Sequence, residues 1–185
     1  YYDNYGKGSS GTSDPYTNQQ SLYQGNPGTA SGTKKSAVLF STYTLPVPTA
    51  PNANVVISGT TVTKVEVYLR NRHSYYSTGL TTKIGISTAT SLGSSIPTTG
   101  VTTGPTPTST TFTKGQGKWV TLGSGTHTYA NALTLRTILI SLTDQNPITY
   151  DSTLGNYGYF DGDLQSDPPK LRITYTYTTS TTTYS

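Results

Sequence analysis

The chemistry open to this 185-residue chain rests on eight carboxylates, two histidines and sixteen tyrosines. Acid–base hydrolysis needs carboxyl groups whose neighbours set their pKa values, and the candidates are Asp3, Asp14, Glu66, Asp144, Asp151, Asp161, Asp163 and Asp167. Asp161, Asp163 and Asp167 could lend oxygen ligands to Ca²⁺, because a hard cation takes carboxylates and carbonyls from a turn. The segment lacks the ligand spacing and final bidentate Glu of an EF-hand loop, however, and Asp161-Gly162 is first of all a turn signal. A turn is the plainer assignment, with Ca²⁺ as its alternative. His73 and His127 have no HExxH or comparable spacing, so neither is assigned to a metal. There is no Gly-x-Ser-x-Gly elbow, and Gly115-Gln116-Gly117-Lys118-Trp119 reads as a tight turn feeding a strand rather than a phosphate loop. With no cysteine, disulfides, iron–sulfur clusters, thiolate zinc sites and thiol nucleophiles are excluded together. An enzyme is therefore the weakest expectation, and no cofactor is expected.

Tyrosine is the informative residue. Sixteen Tyr stand against three Phe, and a phenol joins a flat apolar face to a hydroxyl, the combination that stacks on sugar rings and serves adhesive interfaces. The densest candidate is Arg70-Asn71-Arg72-His73-Ser74-Tyr75-Tyr76-Ser77-Thr78-Gly79, read as a loop that follows an amphipathic strand. Its proposed glycan contacts are Arg70, Arg72, His73, Tyr75 and Tyr76. The second candidate is Asn156-Tyr157-Gly158-Tyr159-Phe160-Asp161-Gly162-Asp163, whose glycines let Tyr157 and Tyr159 splay from a tight backbone. The plainer alternatives are that Tyr75 and Tyr76 cap the end of the fold and that the second segment is a bulged strand beside the last one. Trp119, next to Val120 and Leu122 in a strand pattern, is read as core.

The elements that must position these groups are strands. The chain holds 39 Thr and 21 Ser but a single Glu, and only 31% of its residues are hydrophobic and 11% charged. Helices want Ala, Leu, Glu, Lys, Arg and Gln, whereas Thr and Val suit a pleated strand. Ser36 to Ser41 forms a compact apolar run, and Val65, Val67 and Leu69 alternate with Lys64, Glu66, Tyr68 and Arg70, so one face is core and the other wet. Val62 falls on the wet face by the same alternation. Thr81 to Ser87, Lys118 to Leu122, Thr137 to Leu142 and Lys170 to Tyr177 complete the strands, while the Pro-, Ser- and Thr-rich stretch to about Thr110 is loop or weak edge strand. The nearest helix candidate, Thr128 to Leu135, has no charged partners and no closing Gly. Short strands separated by turn signals predict an all-β, jelly-roll-like antiparallel β-sandwich. Residues 1–32 read as an extended Tyr/Gly/Ser-rich N-terminal arm, 33–178 as the sandwich and 179–185 as a tail. No stretch reaches the ~18–20 apolar residues that cross a bilayer, so no membrane insertion is expected. The net charge of +4 comes from scattered basic residues rather than a stripe, which argues against nucleic acid as a partner.

Several segments together resemble DNRLRE-type β-sandwich domains. They are Leu22 to Gly25, Lys35 to Ser41, Leu45-Pro46, Val62 to Leu69, Trp119 to Leu122 and Pro168 to Tyr175, in that order. Thr63 to Tyr76 and Tyr157 to Gly162 further resemble stretches of actinobacteriophage minor tail proteins, although Ser74 stands where those commonly carry an aromatic residue. The resemblance spans about residues 22–177. It implies a non-catalytic module, related to carbohydrate-binding modules, on the outside of a virion tail or fibre. The implied partners are host cell-surface polysaccharide, neighbouring subunits of a homo-oligomer, with a trimer expected, and other tail proteins. The alternatives are a purely structural virion or fibre subunit that assembles through its N-terminal arm, and a carbohydrate-binding module of a secreted bacterial protein.

Overall fold

The computed structural model describes residues 21–25, 36–40, 46–75, 79–87, 108–124, 138–143, 157–162 and 165–183. Among them there is no helix, as the abundance of β-branched residues predicts. The strands are β1 (Ser21–Gln24), β2 (Ser36–Phe40), β3 (Val55–Ser74), β4 (Gly79–Ser87), β5 (Thr108–Thr113), β6 (Gly117–Ser124), β7 (Ile138–Thr143), β8 (Gly158–Asp161) and β9 (Lys170–Thr181). The expected all-β sandwich is present, with every strand pair antiparallel.

One sheet has the order β1-β8-β3-β6, and the other β2-β7-β4-β5. The pairs β1 with β8, β2 with β7, β3 with β6 and β4 with β5 are those of one long hairpin wrapped over itself, which is the jelly-roll arrangement. The ninth strand joins the first sheet. It runs along β3 from Val55 to Tyr68, and β8 takes the same edge from Asn71 to Ser74. β3 is thus a 20-residue spine shared by three partners.

Between the sheets lie Leu22, Val62, Val65, Val67, Leu69, Val120, Leu122 and Phe160 from one side and Val38, Phe40, Leu80, Ile84 and Phe112 from the other, all buried. Each such side chain contributes roughly 1.5–3 kcal/mol when fully buried. Phe112 and Phe160 meet edge to face across the gap, 5.1 Å between centroids. Polar bonds also join the layers: Gln24 Nε2 donates to the Thr81 carbonyl at 2.8 Å, and Ser36 Oγ donates to the Tyr23 carbonyl.

Several sequence expectations change here. Ser21–Gln24, placed in the arm, is a paired strand, and the last strand runs to Thr181, beyond the expected bound at 178. Arg70 to Ser74, expected in a loop, continues β3. Val62 is core, only 4% exposed, because a bulge between Val62 and Lys64 inserts one residue and exchanges the faces of the strand. Trp119 is not core but half-buried on the outer face, opposite Tyr68. The edge-strand alternative for the end of the Pro-rich stretch holds from Thr108, where β5 borders its sheet. The arm up to residue 20 and the helix candidate Thr128–Leu135 lie outside the described residues.

Candidate functional site

The outer face of the five-stranded sheet carries the chemistry. At one end, Tyr23 comes from β1, His73 from β3 and Tyr159 from β8, with Tyr75 just past β3 and Tyr157 just before β8. The register sets His73 opposite Tyr159 and Tyr23 opposite Tyr159. Tyr75 N–H donates to the Tyr157 carbonyl at 3.0 Å, extending the ladder by one rung. The Tyr75 and Tyr157 rings stack at 4.6 Å, Tyr23 meets Tyr159 at 5.0 Å and Tyr157 at 6.0 Å, and His73 sets its ring edge-on to Tyr75 at 4.5 Å. Tyr75 is the outermost, 46% exposed. Burial, then a hydrogen bond with Tyr75, pushes the Tyr23 hydroxyl well above its ordinary range, so that phenol stays protonated at all physiological pH.

A bulge makes this end possible. Between Asn71 and His73 the register against β8 shifts by one residue, so Arg72 and His73, though adjacent in sequence, both serve the outer face. Asn71 turns inward and is fully buried. Its Nδ2 donates to the His73 and Tyr159 carbonyls, both at 3.1 Å, and its Oδ1 accepts from Ser74 Oγ at 3.2 Å. Asn71 N–H also donates to the Gln116 carbonyl, and its own carbonyl accepts from Gly115 N–H, which ties the β5–β6 turn to the bulge. Gly158 leaves no alternative on the β8 side, because a Cβ there would run into the His73 carbonyl.

Next along the face lies Asp161. Its side chain is fully buried under Arg70 and Arg72: Arg70 Nη1 donates to Oδ2 at 3.0 Å, and Arg72 Nε donates to Oδ1. The bond to Asp161 holds the Arg72 guanidinium above its already high pKa. Beyond this pair the face changes character. Tyr68 meets Trp119 edge-on at 5.6 Å, and both rings lie under cations, Lys170 Nζ 4.7 Å from Tyr68 and the Arg172 guanidinium 4.0 Å from Trp119. Tyr68 donates its hydroxyl to Asp167 Oδ2, which together with burial pushes the phenol up to about 12.

Arg172 grips Glu66 bidentately at 2.7 and 2.9 Å, and Lys64 adds a contact at 3.1 Å. The Arg172 bonds lead in lowering the Glu66 carboxyl from 4.5 to about 2, against the opposing effect of burial. A carboxylate whose folded pKa lies below its unfolded value stabilises the fold above about pH 4.5 and loses that contribution as pH falls toward 2. Glu66→Gln is accordingly expected to melt about 2–4 °C below the wild type at pH 7, with the gap closing between pH 4.5 and 2 in thermal melts.

Of the sequence-predicted residues, the structure brings Arg70, Arg72, His73, Tyr75, Tyr157 and Tyr159 onto one face, although the two segments are far apart in the chain. Tyr76 lies outside the described residues. Of the Ca²⁺ candidates, Asp161 is engaged by two arginines and Asp167 by Tyr68 and, at 3.4 Å, Lys170, while Asp163 lies outside the described residues. Tyr23, Tyr68 and the arginine-holding role of Asp161 were not foreseen as parts of the site. The signal for Asp161 was its spacing of two from Tyr159 in a strand, which puts both on one face. No protein-family model matches the chain, and no curated protein matches it.

Proposed function

We propose that this domain is a non-catalytic binding module that holds a polysaccharide against the tyrosine-rich end of its outer sheet face. What carries the reading is the clustering of Tyr23, Tyr75, Tyr157, Tyr159 and His73 on paired strands, with Tyr75 presented to solvent. Sugar rings offer flat C–H faces to phenols and hydroxyls to the phenolic and imidazole groups, and rigid strands keep the cost of ordering low. Each site binds weakly and gains from repetition in an oligomer. The segment resemblances set out above extend the proposal to a phage minor-tail or fibre domain, outside the virion, that contacts host cell-surface polysaccharide.

Glycan-array binding of the whole chain, followed by titration calorimetry on the polymer it selects, tests this. Tyr75→Ala/Tyr157→Ala is expected to weaken binding about 10–100-fold, from roughly 0.5–1.5 kcal/mol per lost aromatic contact. Unchanged affinity in that variant, at unchanged melting temperature, contradicts the proposal.

A structural-subunit reading has its own observation. β9 pairs with β3 back to Val55, whereas β6 pairs only from Lys64 onward, so Val55–Ser58 and Thr178–Thr181 form a ribbon with no third strand among the described residues, Val56 within it being 53% exposed and Tyr177, just before it on β9, 43% exposed. Exposed strand edges of this kind join subunits. On that reading Val56→Lys/Tyr177→Lys shifts the chain from oligomer to monomer in light scattering, and an unshifted mass removes it.

A further inference from the structure

We propose that Arg70 and Arg72 form an anion subsite beside the tyrosines, so that the polymer bound is an acidic polysaccharide bearing carboxylate or phosphate groups; this rests on the polysaccharide reading above. One buried carboxylate, Asp161, orients two guanidinium groups and leaves the trio one positive charge in excess. Each arginine gives Asp161 a single nitrogen, Nη1 from Arg70 and Nε from Arg72. Arg70 Nη2 and both Nη groups of Arg72 have no protein partner among the described residues, and the two side chains are 33% and 38% exposed. A planar fork of fixed donors fits carboxylate and phosphate oxygens, and holding it in place beforehand lowers the cost of binding.

The other cations of the face are differently placed. Arg172 is committed bidentately to Glu66 and lies on Trp119, Lys64 is on Glu66, and Lys170 is on Asp167. Among the described residues of the face five cations, Lys64, Arg70, Arg72, Lys170 and Arg172, meet three carboxylates, Glu66, Asp161 and Asp167, so these neighbours add positive rather than negative potential to the subsite. The subsite also adjoins the stacking surface. Arg72 precedes His73, whose ring contacts Tyr75 and Tyr159, and Asp161 follows Tyr159 by two residues on the same face of β8. A sugar seated on Tyr75 therefore brings its acidic substituent toward the guanidinium pair.

The test uses the whole chain in affinity electrophoresis against polygalacturonate and its carboxyl-reduced product, and against poly(glycerol phosphate) carrying sugar substituents and the same sugars free of phosphate. The expected result is at least about tenfold tighter binding to one acidic polymer than to its neutral counterpart at 50 mM NaCl, with the ratio falling toward one at 1 M NaCl. Which acidic polymer wins distinguishes carboxylate from phosphate recognition. In Arg72→Gln, which keeps Arg70 on Asp161, the ratio is expected to fall toward one at low salt, and in Arg72→Lys to fall only partly. Equal binding of acidic and neutral polymers by the wild type, abolished in Tyr75→Ala/Tyr157→Ala, overturns the anion subsite and leaves the polysaccharide reading standing. Wild-type binding to neither kind of polymer overturns both. The salt dependence of the wild type decides the matter even if Arg72→Gln fails to fold.

Discussion

Phe160→Ala is expected to lower the unfolding free energy by about 3–5 kcal/mol, measured by urea denaturation, with the urea m-value unchanged. Phe160 is fully buried, packs edge to face on Phe112 of the opposite sheet and sits opposite Asn71 at the bulge. Removing its ring costs the transfer free energy of the side chain, opens a cavity between the sheets and ends the aromatic pair, for which a double-mutant cycle with Phe112→Ala should return a coupling of about 0.5–1.5 kcal/mol. The consequence extends to the site, because β8 carries Tyr159 and Asp161 on either side of Phe160 and is held between β1 and β3. A loss below about 1 kcal/mol would mean that the two sheets do not meet at this pair.

The second large effect is an asymmetry. Asp161 is fully buried, whereas its two arginine partners are about a third exposed. Arg70→Met/Arg72→Met, which keeps the covering side chains but removes their charge, strands a buried carboxylate with no counter-charge and is expected to cost about 3–5 kcal/mol. Asp161→Ala instead releases two guanidinium groups that already reach water, and its cost should stay near 1–2 kcal/mol. Solvent denaturation of the three proteins at pH 7 measures both figures. Equal costs, or a larger cost for Asp161→Ala, would place the carboxylate in water rather than under the arginines.

The parts of this molecule that the sequence made legible are those governed by period two. Val65, Val67 and Leu69 could be assigned to the core because nothing interrupts the alternation there, and Leu171 and Ile173 follow the same rule on β9. Where a bulge inserts a residue, the rule fails locally: Val62 was placed on the wet face and is core, and Arg72 with His73 share a face that simple alternation denies them. Trp119 was misread from its neighbours Val120 and Leu122, although its own position, one residue from the buried Val120, puts it on the opposite face. Tyr23 sits in a four-residue strand within a polar stretch, and its place in the site depends on pairing with β8, far along the chain. That pairing leaves no mark in local composition. The same holds for Asp161, whose apparent role changed from a turn carboxylate to the residue holding Arg70 and Arg72 once β8 lay beside β3. The candidate site was thus legible as two aromatic segments, and illegible as one surface.

On the function proposed here, a polysaccharide rests on the tyrosine-rich end of the outer face. Amide chemical-shift mapping of the ¹⁵N-labelled chain, titrated with an oligosaccharide cut from the polymer selected on the array, tests it most directly. The expected result is saturable shifts concentrated at Arg72, His73, Tyr75, Tyr157 and Tyr159, with β2, β4 and β5 of the opposite sheet unmoved. Shifts confined to that opposite sheet, or to the ribbon of Val55–Ser58 and Thr178–Thr181, would contradict it.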